Sequence, residues 1–437
     1  MKIAMASLGC AKNLVDAENM LGMLTEQGFE LTDDESLADV IIVNTCCFIN
    51  DAKIESIDTI FDVAQWKTDG NCKRLIVTGC MAQRYKEQIL TEIPEVDAVV
   101  GVGEYDRLIE VINGTDNVVL CDRNYSYLNK KRLMQTPSYT AFIKIADGCD
   151  NRCAYCVIPS IRGGFNSRKI EDIVSEAENL VKNGVKEIIL IAQDTTSYGV
   201  DLYGEPKLCE LIDSLCKIDG LVWLRLHYCY PEKITDKLID TIAKNPKVCR
   251  YIDMPIQHCS DEVLRRMGRK SNKAGITGVI LRLREKIPGI TIRTTLITGF
   301  PGETEEQFAE MLEFVKQQKF ERLGVFAYSQ EEDTPAAAMD NQIDDEVKQQ
   351  RQELLMLAQE DVTEALNAEK VGKTVTVLVE GYDVIVEQYF GRTEADSTDI
   401  DGKVFFKSKK KLAEGEFAEV VIDNYSEYDL FGARKEN

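Results

Sequence analysis

The run Ala146-Asp147-Gly148-Cys149-Asp150-Asn151-Arg152-Cys153-Ala154-Tyr155-Cys156 starts where a strand-like segment, Ala141–Ala146, ends. Its cysteines have the spacing C-x3-C-x2-C. Iron–sulfur clusters are held by cysteine thiolates, and a loop of this spacing can set three sulfurs around one cubane. Three protein ligands leave the fourth iron open to a small molecule. The alternative is zinc, which takes four closed ligands or three and a water. No fourth ligand stands nearby in the sequence.

Downstream of that loop, strand-like and helical segments alternate. The candidate strands are Ala141–Ala146, Glu187–Ala192, Val222–Tyr228, Arg250–Met254, Thr291–Thr298 and Leu323–Tyr328. The alternation predicts a parallel sheet wrapped as an open (β/α) barrel, whose carboxyl strand ends build the active site. Gln193, Asp194, His227, Gln257 and His258 fall at or near those ends, and Arg293 and Thr295 lie on the fifth strand. Asp344–Lys370 lacks Gly and Pro and reads as one long helix. Thr374–Glu380, Val384–Gln388, Val404–Lys407 and Phe417–Asp423 then read as short strands of a small antiparallel, OB-like β-barrel.

The same alternation runs upstream. Strands are expected at Lys2–Ser7, Asp39–Asn44, Arg74–Thr78 and Ala98–Gly101, and helices at Leu14–Gln27, Ala52–Trp66, Ala82–Glu92 and Tyr105–Ile112. The chain is therefore α/β, with domains expected over 1–122, 138–369 and 370–437. Residues 122–137 read as a linker whose Lys130-Lys131-Arg132 run is solvated. Cys10, Cys46 and Cys80 each follow one of the first three strands. Ligands of parallel sheets bind beyond the carboxyl ends of the strands, so the three are expected on one sheet edge although about 35 residues separate them. The alternative is three unrelated buried thiols. The other cysteines show no ligand spacing and read as structural, with Cys47 pointing away from Cys46.

Fourteen cysteines in a chain of 437 residues suit metal binding in a reducing compartment. No run of about 18 apolar residues is present, so no membrane span is expected. Nine residues before Cys10 are too few for a lipoprotein signal, and a cytoplasmic protein is expected. The formal net charge of −22 repels nucleic acid as a whole and attracts a basic partner. From Lys370 onward, 10 Lys and Arg face 14 Asp and Glu, a balance suited to a basic protein more than to tRNA. Lys407-Ser408-Lys409-Lys410-Lys411 is the counter-signal and reads as a solvated hairpin.

The C-x3-C-x2-C loop resembles the signature of radical S-adenosylmethionine (SAM) enzymes. Ser7-Leu8-Gly9-Cys10, Asn44-Thr45-Cys46 and Thr78-Gly79-Cys80-Met81-Ala82-Gln83-Arg84 extend the likeness, so that the whole chain resembles the methylthiotransferase family. That resemblance implies an N-terminal cluster domain, a radical SAM barrel and a C-terminal TRAM barrel. It implies two 4Fe-4S clusters: a catalytic one on Cys149, Cys153 and Cys156, and an auxiliary one on Cys10, Cys46 and Cys80, where the sulfur to be inserted binds. The resemblance also implies two roles for SAM, as methyl donor and as source of a 5′-deoxyadenosyl radical. Three runs, Gly9-Cys10-Ala11-Lys12-Asn13-Leu14-Val15-Asp16, Cys156-Val157-Ile158-Pro159-Ser160-Ile161-Arg162-Gly163 and Leu226-His227-Tyr228-Cys229-Tyr230-Pro231, are similar to one branch. That branch thiomethylates the β-carbon of an aspartate in ribosomal protein S twelve; Ala17 departs from it, where Ser is usual.

The implied partners are ribosomal protein S twelve, free or in the small ribosomal subunit, an electron donor and a sulfur source, with no direct tRNA substrate. For SAM binding the candidates are Gln193, Arg293 and Thr295, with Arg293 suited to its carboxylate, and Tyr155 near the adenine. The alternative for each is a role in capping or stiffening the barrel. Radical abstraction asks no acid or base of His258, and Gly299-Phe300-Pro301-Gly302 reads as a close backbone approach. The rival readings of the chain are a tRNA adenosine methylthiotransferase and a non-catalytic electron carrier.

Overall fold

The computed structural model describes residues 1–114, 117–121 and 132–436. Its N-terminal sheet has six parallel strands, β1 (Lys2–Ser7), β2 (Glu30–Leu31), β3 (Val40–Thr45), β4 (Arg74–Gly79), β5 (Ala98–Val100) and β6 (Val118–Leu120). Their spatial order is β2-β1-β3-β4-β5-β6. β3 and β4 are buried along their whole length, because helices cover both faces of the sheet. Ile41, Val43, Leu75 and Val77 enter one core layer, and Val40, Ile42 and Ile76 the opposite one. After β1 the helix α1 (Ala11–Glu26) returns the chain to β2 on one side, and the chain then crosses to β3 on the other. The gap between the carboxyl ends of β1 and β3 is thus the topological switch point, where such sheets bind ligands.

β2 and β6 are too short to carry a sequence pattern. The single helix expected over Ala82–Glu92 is corrected to two, Cys80–Tyr85 and Glu87–Glu92, which meet at Lys86 with φ of 47°.

The central unit consists of β7 (Thr140–Lys144), a two-residue hairpin β8 (Ala146–Asp147) and β9 (Asn166–Ser167), then β10 (Glu187–Ile191), β11 (Trp223–Leu226), β12 (Val248–Asp253), β13 (Thr291–Thr298) and β14 (Arg322–Ala327). The six longer strands run parallel in the order β7-β10-β11-β12-β13-β14, as an open half-barrel. Ile188, Leu190, Leu224, Leu226, Ile252 and Ile292 pack outward against the helices. Phe142, Ile189 and Ile191 point inward and meet Ala11, Leu14 and Val15 of α1. The first helix of the N-terminal unit therefore covers part of the concave face of the central one.

Residues 122–131 of the expected linker lie outside the described residues. Arg132 corrects the solvated reading: its side chain is buried between Glu18 and Glu176 and donates to the Phe142 carbonyl at 2.8 Å. Two helices from different units supply the carboxylates, a pairing that local sequence does not reveal.

The helix Asp345–Ala368 packs along the half-barrel edge, with Gln352 donating to the Val325 carbonyl and Gln359 to that of Phe320. A closed five-stranded barrel follows: β15 (Thr374–Asp383), β16 (Gln388–Arg392), β17 (Val404–Lys407), β18 (Phe417–Ser426) and β19 (Asp429–Arg434), in the order β15-β16-β17-β19-β18. The strand expected at Val384–Gln388 is corrected: residues 384–387 form a turn, the strand β16 begins only at Gln388, and β19 is an addition. Val384 and Ile385 are 77% and 88% exposed. Asp383 accepts from the backbone N–H groups of Ile385 and Val386 and turns the chain there, overriding β propensity.

This barrel is wedged into the amino end of the half-barrel. Arg392 pairs with Glu187, which also holds Arg225; Arg322 pairs with Asp396; Tyr251 donates to Asp401 at 2.8 Å; and Ser397 meets His227 at 2.9 Å. Glu380, Asp396, Asp401 and Arg392 are spent inside the chain. Nine cations against eleven carboxylates remain for the rest of the C-terminal unit, which brings its balance closer to neutral than the sequence count. Among the described residues no helix is long and apolar enough to cross a membrane.

Candidate active site

Three strand ends converge at the switch point. Gly9 precedes Cys10 with φ of +88°, and a Cβ on it would lie 2.7 Å from the Cys46 Cβ. Gly79 precedes Cys80 with φ of +91°, and a Cβ there would lie 2.5 Å from the Asn44 Oδ1. Only glycine tolerates both the conformation and the approach. Asn13 ties the ends together: its Nδ2 donates to the Leu8 and Thr45 carbonyls at 3.0 and 2.8 Å, and its Oδ1 faces the Cys80 Sγ at 3.6 Å. Ser56 brackets Cys46, accepting from its N–H at 3.0 Å and donating to its carbonyl at 2.9 Å. Cys46 and Cys80 are buried and Cys10 is exposed, so this triad opens to one side. Cys47 sits in the apolar core with Ile41, Val43 and Ile60.

Burial pushes Cys46 up to about 12 and raises Cys80. At Cys10, whose residue reaches the surface while its sulfur is crowded, desolvation acts in the same direction but is outweighed by Lys12, Arg162 and two backbone N–H groups, which lower it. Lys12 is 8% exposed, its Nζ 3.1 Å from the centroid of the Tyr228 ring, and burial lowers it to about 8.

The second triad follows β8. Gly148 has φ of +76°, and a Cβ on it would lie 2.0 Å from the Gly164 carbonyl oxygen. Backbone bonds from Cys149 to Gly163 at 3.0 Å and from Ala154 to Met267 at 2.8 Å close the loop. Cys149 and Cys153 are each 6% exposed. Asn151 Nδ2 reaches the Cys149 Sγ at 3.5 Å and Asp194 at 2.7 Å, and the Tyr230 hydroxyl lies 3.8 Å from the Cys153 Sγ. Burial pushes Cys156 up to about 12 and raises Cys149. Two sets of three soft sulfur donors, largely buried and most with raised thiols, suit a centre whose iron charge would hold them as thiolates.

A buried ionic network joins the triads. Arg162, on the helix Ile158–Arg162 just past Cys156, donates to Asp16 at 3.1 Å, Asp147 at 2.9 Å, Asn13 Oδ1 at 2.8 Å and Cys80 Sγ at 3.5 Å. Lys144 on β7 pairs with Asp16 and, at 2.8 Å, with Asp147. Neither Arg162 nor Lys144 was a sequence candidate. Their one sequence signal is a cation inside an otherwise apolar, buried run.

Of the SAM-binding candidates, Gln193 donates to Asp147 at 2.8 Å, and its Oε1 is buried without a partner among the described residues. That orphaned acceptor suits a ligand donor. Arg293 faces Asp253 at 3.1 Å and Asp401 at 3.7 Å, so a ligand carboxylate would compete with two internal ones. Thr295 shares the face of β13 that carries Arg293, and Tyr155 packs beside Met267, Phe300 and Tyr328. His227 is buried on Ser397, and burial lowers it to about 3. His258 accepts from the Ser260 N–H at 2.9 Å and lies 3.4 Å from Glu303, an architectural position. Gly299 is indeed a close approach: a Cβ there would meet the Lys348 side chain at 2.3 Å.

The sequence matches Uncharacterized protein family UPF0004 over residues 2–101, the Radical SAM superfamily over 143–315 and the TRAM domain over 371–434. The ribosomal protein uS12 methylthiotransferase RimO of Lachnoclostridium phytofermentans is 52% identical over 440 residues, 99% of each chain. The RimO of Clostridioides difficile is 51% identical over 437 residues, covering 99% of this chain and 98% of its own. The chain belongs to the RimO family. The RimO-family chain also shares its fold with a radical SAM methyltransferase, TsrM of Kitasatospora setae, solved with cobalamin and a 4Fe-4S cluster. That likeness has a TM-score of 0.58 at 15% identity and covers 77% of this chain and 76% of TsrM.

Proposed function

We infer that this chain is a radical SAM methylthiotransferase that puts a methylthio group on the β-carbon of an aspartate in ribosomal protein uS12. The observation that carries this reading is the pairing of two cysteine triads, at the carboxyl ends of two parallel sheets, through the shared Arg162–Asp147–Asp16 network. Cys149, Cys153 and Cys156 hold one 4Fe-4S cluster, and Cys10, Cys46 and Cys80 hold the other. When bound, the first supplies the electron that cleaves SAM to a carbon radical and the second supplies the sulfur to be transferred. The chain's own part is positional. Asn13 and Ser56 set the strand ends, Arg162 keeps the triads in register, and Gln193, Thr295 and Tyr155 line the face on which SAM lies, with Arg293 beside them.

The functional units are 1–122, 138–369 and 370–437. An external electron donor and a sulfur source complete the reaction, which belongs in the cytoplasm. The net charge of −22 favours a basic ribosomal protein over tRNA as substrate. The test is anaerobically reconstituted protein with SAM, sulfide and a reductant, offered small ribosomal subunits or unmodified tRNA and read by mass spectrometry. A methylthio mass gain on uS12 supports the reading. A gain on tRNA alone overturns the substrate.

A further inference from the structure

Buried cations in this chain have oxygen partners. Lys144 and Arg162 share Asp16 and Asp147, Arg225 takes Glu187, and Arg269 donates to the Pro255 carbonyl at 3.0 Å. Lys12 differs. Among the described residues no carboxylate or carbonyl pairs with its ammonium group, which rests only on the face of the Tyr228 ring. In a chain of net charge −22 a nearly buried cation that Cys10, Asp253 and Asp147 favour by charge, but that no carboxylate bonds among the described residues, is conspicuous.

Its position adds to this. Lys12 is two residues past Cys10, in the first turn of α1, where that helix enters the concave face of the half-barrel. Tyr228 stands just past β11 with φ of +59°, a costly conformation for a tyrosine, held by a bond from its N–H to Asp253 at 3.0 Å. Strain of this kind persists where the surroundings over-determine it, and it clusters at ligand sites. The nearby acids are committed: Asp253 to Arg293 and the Tyr228 N–H, Asp147 to Arg162, Lys144 and Gln193.

We propose that Lys12 is the anchor for the side-chain carboxylate of the target aspartate, with the Tyr228 ring as the platform beneath it. This rests on the uS12 reading above. The carbon to be modified bears that carboxylate directly, so a charge-assisted bond to Lys12 fixes the reacting C–H one bond away, on the side of Cys10. A neutral amide of the same shape leaves the ammonium group without an anion, and the site rejects it.

The test measures binding of two synthetic uS12 peptides, one with the target aspartate and one with asparagine in its place. They are titrated into cluster-loaded wild-type, Lys12→Met and Lys12→Arg proteins. Wild type should prefer the aspartate peptide by about tenfold to a hundredfold. Lys12→Met should bind both peptides alike at unchanged iron content, and Lys12→Arg should keep the preference. A preference that survives Lys12→Met overturns the assignment of Lys12 alone. Wild-type protein that binds neither peptide overturns the uS12 reading, and the anchor with it.

Discussion

The two cysteine triads solve one problem in opposite ways. Cys149, Cys153 and Cys156 share one loop, closed by its own backbone bonds and by Met267. Cys10, Cys46 and Cys80 come from three strand ends of a six-stranded sheet and share one edge only because that sheet is parallel and its strands are in register. The first cysteine of the loop and two of the three strand-end cysteines follow a glycine in the left-handed region, Gly148, Gly9 and Gly79. The local triad is thus a property of a loop, and the distributed triad a property of a domain. The distributed one is also more open, since Cys10 is exposed whereas Cys149 and Cys153 are buried.

That contrast can be broken experimentally, with the largest effects in catalysis. Cys149→Ala should remove half the iron and stop both SAM cleavage and product formation, a loss of at least about a thousandfold, or about 4 kcal/mol of barrier. Assays of 5′-deoxyadenosine and of methylthio product read it. Cys80→Ala should also remove half the iron and abolish the product to a similar extent, while reductive SAM cleavage continues. If both variants lose SAM cleavage alike, the two triads are not separable.

Structural effects are smaller. Replacing Arg162 by Met removes the guanidinium that Asp16 and Asp147 share in the buried network, which should cost about 3–5 kcal/mol in urea unfolding of the cluster-loaded protein. Gly9→Ala forces a left-handed alanine against Cys46 and should cost about 1–3 kcal/mol. Its iron loss should be confined to the distributed triad, as read by the cluster spectra of the variant. In a chelator time course on wild type, the distributed triad should lose iron first; earlier loss from the buried loop would reverse the comparison.

The longer strands of both sheets were legible because strands buried on both faces read as apolar runs, as residues 40–43 and 188–191 do. The loop triad was legible because its three cysteines are neighbours in sequence. The placement of Cys10, Cys46 and Cys80 on one sheet edge was legible only through the rule for carboxyl ends of parallel strands, and the two glycines that let the ends approach carry no spacing signal. The turn at Val384–Val386 was misread because β-branched residues that stay in water obey their backbone contacts with Asp383 and not their propensity.

By itself, then, the sequence determined the alternation of strands and helices, the three-sulfur loop and the likeness to the RimO family, all carried by residues near one another along the chain. Only the tertiary structure decided that α1 enters the half-barrel, that Arg162 and Lys144 bridge the two triads, that Arg132 is buried, and that Lys12 faces Tyr228 with no ion-paired carboxylate among the described residues. The partners in those contacts lie up to 216 positions apart, as Lys12 and Tyr228 do. The energy of a buried charge depends on which groups surround it in space, and no local pattern encodes that.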